Sequence, residues 1–203
     1  MLMRIAIIVG AAALCVNAAR AHGQQFEGVI TLSAPGMLDG AKMFYKGTRA
    51  RMERPGNLGT LLIDGSGRIV RLIDARHQYF VMGNRTGAPQ RSPKFESLGK
   101  QETVAGLPCS DYRTRDPGGL QDGDEVCVTS ALGFVGLAFG DVNAQAVRDQ
   151  FPKGFFILKT VTKKGTVSQV VSIERKALAD DLFVPPAGYA EMTLPGLSGR
   201  PDR

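Results

Sequence analysis

Gly59-Thr-Leu-Leu-Ile-Asp-Gly-Ser-Gly-Arg-Ile-Val-Arg-Leu-Ile-Asp-Ala-Arg-His-Gln-Tyr-Phe-Val-Met82 is the stretch that decides the fold class. Three short runs rich in Leu, Ile, Val and aromatic residues are separated by Asp64-Gly-Ser-Gly67 and Asp74-Ala-Arg-His77. These interruptions are short enough to be hairpin turns, and Asp and Gly are turn formers because one bonds its own backbone and the other accepts positive φ. The stretch therefore reads as three strands, Gly59–Asp64, Arg68–Ile73 and Gln78–Met82.

The same period-two pattern continues in both directions. Upstream, Phe26, Gly28, Ile30 and Leu32 share one face and Glu27, Thr31 and Ser33 the other. After Met43–Lys46 comes Arg49–Glu53, where Arg49, Arg51 and Glu53 alternate with Ala50 and Met52, as in a sheet with one wet face. Downstream, residues 84–97 read as an exposed loop, and strands resume at Glu102–Ala105, Gly154–Thr162 and Thr166–Glu174, the last two joined by Lys163-Lys-Gly165. The whole chain has 25 Gly and 11 Pro in 203 residues, which favours many short elements. A single mainly β domain, a consecutive antiparallel meander, is the expectation.

The first residues read as an export signal. Arg4 precedes the apolar run Ile5–Val16, and Ala19-Arg-Ala21 has the small-x-small pattern of signal peptidase. The run is too short to span a bilayer, and no later segment approaches the ~20 apolar residues needed, so no integral membrane protein is expected. A lipid anchor at Cys15 lacks the small residue that should precede it, Leu14 standing there instead. The expected organisation is a cleaved signal at 1–21, one domain at 22–192 and a disordered tail at 193–203, with a periplasmic or secreted location. Cleavage removes Arg4 and Arg20 and lowers the formal charge from +6 to +4. It also leaves two cysteines, Cys109 and Cys127, which in an oxidising compartment read as a disulfide. A hairpin with Cys109 directly opposite Cys127 centres on Gly118, within Asp116-Pro-Gly-Gly119.

The inventory of reactive groups is thin. His22 and His77 are the only imidazoles, there is no Trp, and no G-x-S-x-G is present, so no catalytic residue and no cofactor is assigned. A copper site on an N-terminal His22 would need a second histidine, and only His77 could serve. Asp116, Asp122, Asp124 and Glu125 lack the calcium-loop order and read as a solvated turn, so no metal is assigned. Basic residues such as Arg49, Arg51, Arg54, Arg68 and Arg71 are spread over several strands. They read as solubilising charge, with an anionic partner such as lipid headgroups as the alternative; nothing resembles a nucleic-acid module.

One segment breaks the strand pattern. Ala131–Gly140 is apolar and glycine-rich, and Val142–Gln150 has helix-forming composition. Leu132, Val135, Phe139 and Val142 fall at helical spacing, giving either the core face of a packing helix or the wall of an apolar ligand site. On the second reading Leu132, Phe134, Val135, Leu137 and Phe139 are candidate hydrophobic lid residues.

Phe26-Glu-Gly-Val-Ile30, Thr103-Val-Ala-Gly-Leu-Pro-Cys109, Glu125-Val-Cys-Val-Thr129 and Asp181-Leu-Phe-Val-Pro-Pro-Ala-Gly-Tyr189 together resemble an uncharacterised family of secreted bacterial proteins. The Leu-Phe-x-x-Pro-x-Gly-Tyr ending is also similar to that of the lipoprotein-carrier superfamily of LolA-like and RseB-like domains. The resemblance implies a strongly curved antiparallel sheet, a half-barrel, with one or two helices on its concave side, one of them within residues 131–150. It also implies a non-catalytic carrier for a lipid, acyl chain or lipoprotein in the cell envelope. A protein-interaction or sensing module is the second expectation, and a copper or hydrolytic enzyme a remote third.

Overall fold

The computed structural model describes residues 25–192 apart from 37, 57, 85–91, 116–121 and 136–142. The signal segment, His22, the 193–203 tail, the turn about Gly118, half of the 84–97 loop, and Leu137 and Phe139 lie outside the described residues. The strands are β1 (Gly28–Ser33), β2 (Lys42–Lys46), β3 (Arg49–Glu53), β4 (Thr60–Ile63), β5 (Arg68–Ile73), β6 (Gln78–Asn84), β7 (Lys94–Val104), β8 (Leu107–Arg115), β9 (Glu125–Thr129), β10 (Phe156–Val161), β11 (Val167–Arg175) and β12 (Ala190–Glu191). They form one open sheet in the order β12-β6-β5-β4-β3-β2-β1-β11-β10-β9-β8-β7.

Two meanders, β1–β6 and β7–β11, are therefore joined edge to edge by the antiparallel β1–β11 pair. The single consecutive meander expected from the sequence breaks between β6 and β7, which stand at opposite ends of the order. The loop expected at 84–97 also ends sooner: Lys94–Ser97 is already strand, paired with Tyr112–Arg115. Its alternation is hidden because Phe95 alone marks the packed face between Lys94 and Glu96, and a register shift between Ser97 and Gln101 then interrupts the pattern.

The sheet curls. Strand β7 touches β11, although in a flat sheet three intervening strands would hold them about 19 Å apart. Glu102 on β7 reaches Lys159 on β10 at 2.7 Å, and their cross-strand partners are Cys109 and Cys127. The face bearing these residues is thus the inner one. It holds the largest buried cluster, with Phe26, Ile30, Met43, Tyr45, Ala50, Leu158 and Val170 among its members.

The described α-helix, α1 (Ala144–Gln150), is capped by Asn143, whose side chain accepts from the Gln145 and Ala146 amides. Its one buried residue, Val147, packs with Val126, Val128 and Phe155. Val126 and Val128 alternate with Cys127, so α1 lies on the outer face, whereas the resemblance points to the concave one. A mainly β, curved, open sheet with one α-helix is what the described residues form; the helix sits outside because its buried stripe is one residue wide and the aromatic Phe95, Tyr112, Phe151 and Phe155 offer it a seat there.

The C-terminal ending also crosses the outer face. Leu178 and Phe183 bury against Val29, and a 3-10 turn forms at Asp180–Phe183. Lys46 donates to the Leu178 carbonyl at 2.6 Å and Arg51 to that of Leu182 at 3.1 Å. Tyr189 donates its hydroxyl to Asp74, and β12 then pairs in parallel with β6. The Leu-Phe-x-x-Pro-x-Gly-Tyr pattern is therefore a strap: apolar residues that bury, followed by turn residues that deliver the chain to the open edge.

Candidate functional site: an apolar cavity on the inner face

The inner surfaces of β1, β2, β3, β10 and β11 line a half-open cavity of about 280 Å³. Ile30, Leu32, Met43, Met52, Phe156, Leu158 and Val170 supply its walls, and Ala34 and Leu38 border it from the loop after β1. Strand alternation explains the lining, since Ile30 faces Met43 and Met43 faces Met52 across the ladder. Leu38 is 39% exposed, and its loop is pinned by Asp39, which accepts from the Ser33 hydroxyl and the Ala34 amide.

Tyr45 and Lys159 border this space, and Thr160, Ser168 and Gln169 complete its polar part. Tyr45 is buried between Phe26 and Phe156 with edge-on ring contacts, and burial holds its phenol neutral, well above the ordinary range. Lys159 lines one end and is tied to both carboxylate oxygens of Glu102, at 2.9 and 2.7 Å. Next to that pair stands Asp111, directly opposite Cys127. Partial burial raises its carboxyl pKa, the Glu102 charge adds to the rise, and Lys159 and Lys100 oppose it.

A group with a raised folded-state pKa costs stability once it is ionised and costs nothing when protonated in both states. Asp111→Asn is therefore expected to raise the melting temperature at pH 7, by ~1–3 °C as for a small surface change in a domain of this size. The gain should shrink as pH falls and vanish below about 3.8, the ordinary carboxylate value. Thermal melts across pH 3–7 check this; an unchanged difference at all pH values would contradict it.

Of the candidate lid residues, Leu132 and Val135 are buried in the inner cluster, yet neither lines the cavity. Phe134 goes the other way: it bridges to Phe155, joins the outer aromatic cluster and lies under the Arg148 guanidinium. Residues 131–135 form a turn and a bridge, not the expected start of a helix, because Gly133 adopts φ 70°. The residues that do build the cavity are visible in the sequence only as alternation, Ile30 and Leu32 on one strand and Met52 on another.

Cys109 and Cys127 are joined, with Cα atoms 5.4 Å apart. They are not the direct partners that a hairpin centred on Gly118 requires. Asp111 faces Cys127 and Ser110 faces Val128, which makes the disulfide diagonal and centres the hairpin on residue 119. The Glu102 carboxylate lies within 4.8 Å of both sulfurs, but the sulfurs are spent on each other and Glu102 is bonded to Lys159. His77 is exposed at the end of a 3-10 turn, its ring 5.5 Å from that of Tyr189. The described acids of the suspected solvated turn pair with basic side chains or amides: Asp122 with Lys163 Nζ at 3.7 Å, Asp124 with the Lys163 amide and Glu125 with Arg113.

Residues 26–189, from the buried Phe26 to the strap's Tyr189, match the family described as domain of unknown function DUF4412. The chain belongs to the DUF4412 family. The fold of this DUF4412 domain is shared with the crystal structure of an uncharacterized conserved protein from Thermus thermophilus. That likeness has a TM-score of 0.51 at 15% identity, over 83% of this chain and 90% of that one. The domain is also similar to PNGF-II (TM-score 0.48, 12% identity, 82% of this chain and 31% of that one). A further similar structure is MucB (TM-score 0.41, 14% identity, 81% and 58%). The DUF4412 domain thus spans about a third of the length of PNGF-II. No curated protein matches it in sequence.

No helix among the described residues is long and apolar enough to cross a membrane. The disulfide fits an oxidising, extracytoplasmic environment.

Proposed function

We propose that this DUF4412 domain is a non-catalytic binding or carrier module that takes one apolar chain, such as an acyl chain, into the cavity between β1, β2, β3, β10 and β11. The observation that carries the reading is a half-open, predominantly apolar cavity beside the buried inner cluster. Its volume, about 280 Å³, is at the lower end of the ~300–1,000 Å³ of small-ligand sites, which suits a single chain and excludes a multi-chain lipid held whole. The reading is supported by the groups around the space: a neutral phenol, and a lysine already paired, neither poised for proton transfer. It also agrees with an exported chain working at a cell envelope, periplasmic or secreted, where lipids and lipoproteins are at hand.

The test is native mass spectrometry of protein purified from exporting cells, together with titration by the neutral probe N-phenyl-1-naphthylamine. A bound apolar species or saturable one-to-one probe binding is expected. Folded protein that carries nothing and binds no probe overturns the proposal. Leu32→Trp, which fills the space from one wall, should weaken probe binding by about tenfold or more while costing ~1–3 kcal/mol of stability from overpacking. Unaltered binding in the folded variant would place the probe elsewhere.

A further inference from the structure

The cavity does not end the apolar surface of the inner face. One cross-strand row runs Ile30, Met43, Met52, Leu61, Arg71, Phe80 through successive antiparallel partners on β1 to β6. The first three line the cavity. Leu61 and Phe80 are half-buried, and neither joins a buried cluster, because the packed side of β4–β6 is the opposite one, with Leu62, Val70 and Leu72. Between Leu61 and Phe80 stands Arg71.

Arg71 differs from the arginines of β3 and the turn after it, which have partners, and from Arg68 and Arg76, which are exposed. Arg49 is bonded to Asp180, Arg51 to Glu53 and the Leu182 carbonyl, and Arg54 to the carbonyls of Leu58 and Gly59. Arg71 has no hydrogen-bond or ion-pair partner among the described residues, although it is half-buried. Its guanidinium leans toward Gly59, where a Cβ would come within 3.9 Å of Nε, so the absent side chain leaves it room. The site thus presents five N–H donors at the end of an apolar track, two strands or about 10 Å from Met52.

We infer that the ligand of this site is a single-chain amphiphile with a carboxylate head, its chain in the cavity and across Leu61 and its head on Arg71. The inference rests on the cavity reading proposed above and adds the chemistry of the head. A guanidinium matches a carboxylate in geometry as well as charge, and the apolar surroundings raise the strength of that contact over one in water. A neutral head would leave Arg71 half-desolvated and unpaired.

Dodecanoate and methyl dodecanoate, titrated below micelle formation by displacement of N-phenyl-1-naphthylamine, separate the two parts. Wild type should bind the carboxylate at least about tenfold more tightly than the ester, the range of one charge-assisted contact. Arg71→Gln should bring the two within about twofold by weakening the carboxylate and leaving the ester unchanged; Arg68→Gln, on an exposed position of the same strand, should keep the preference. The preference should also shrink with added salt. Equal affinity of the wild-type protein for both compounds overturns the carboxylate inference and leaves the cavity reading standing. Failure of both to bind folded protein overturns the cavity reading and this inference with it.

Discussion

Gly28→Ala is expected to abolish the native state or to destabilise it by more than about 4 kcal/mol, the range of the most severe single substitutions. Gly28 opens β1 with φ 152°, and a Cβ built there would lie 2.1 Å from the Glu174 carbonyl oxygen and 3.0 Å from the ring of Phe26. Neither neighbour can swing aside. The carbonyl belongs to the β11 backbone, and Phe26 is fully buried in the inner cluster. Relief would require β1 to separate from β11, and that pair alone joins the two meanders in the strand order. Against a total stability of about 5–15 kcal/mol such a loss is decisive. Soluble yield and thermal melting by circular dichroism check it, with Gly36→Ala as control. Gly36 has φ 81° but nothing within 4 Å of its Cβ position, so it should lose only the backbone cost of roughly 1 kcal/mol. A Gly28→Ala protein melting within about 5 °C of wild type would show that the close approach of β1 to β11 is wrong.

Reducing the Cys109–Cys127 disulfide, or replacing both cysteines by alanine, is expected to cost about 3 kcal/mol, the loop-entropy value for its separation of 18 residues. For a domain of this size that is a fall of roughly 6–12 °C in melting temperature. Both sulfurs are in the inner cluster, beside the Lys159–Glu102 pair, so the reduced form also loosens the end of the sheet that curls over the cavity. Melts with and without reductant give the size directly, and apolar-probe binding measured on the reduced, still folded protein should fall in parallel. Identical melting in the two redox states would sink the prediction.

Much of the strand set was legible in the sequence because alternation and turn chemistry are local. Asp64-Gly-Ser-Gly67 makes its turn through Asp64, whose carboxylate accepts from the Ser66 and Arg68 amides and is held below its usual pKa by those bonds and the Ser66 hydroxyl. The disulfide was also readable, from the number of cysteines and the expectation of an oxidising compartment. The start of β7 was not, since Phe95 is its one packed apolar residue before the register shift after Ser97 breaks the alternation. Nor was the register of the cysteine hairpin, which hung on an assumed direct pairing.

The site was the least legible part. Leu132 to Phe139 stands out as the longest apolar departure from the strand pattern, but an apolar run says only that something covers it. Leu132 and Val135 fill the inner core and Phe134 the outer cluster. The cavity instead comes from Ile30, Met43, Met52 and Val170, each unexceptional in its own strand.

From the sequence came the class of structure: which residues alternate, where the chain turns, that Cys109 and Cys127 can pair, and that reactive groups are few. These follow from interactions between residues near one another in the chain. The tertiary structure alone decided that β1 pairs with β11, that the sheet curls toward Cys127, that α1 sits on the outside, and that Met43, Met52, Leu61 and Arg71 form one row. Period two divides a strand into two faces but carries no sign for which face becomes concave. That sign is set by packing between strands distant in sequence, and with it whether an apolar face becomes a filled core or a cavity.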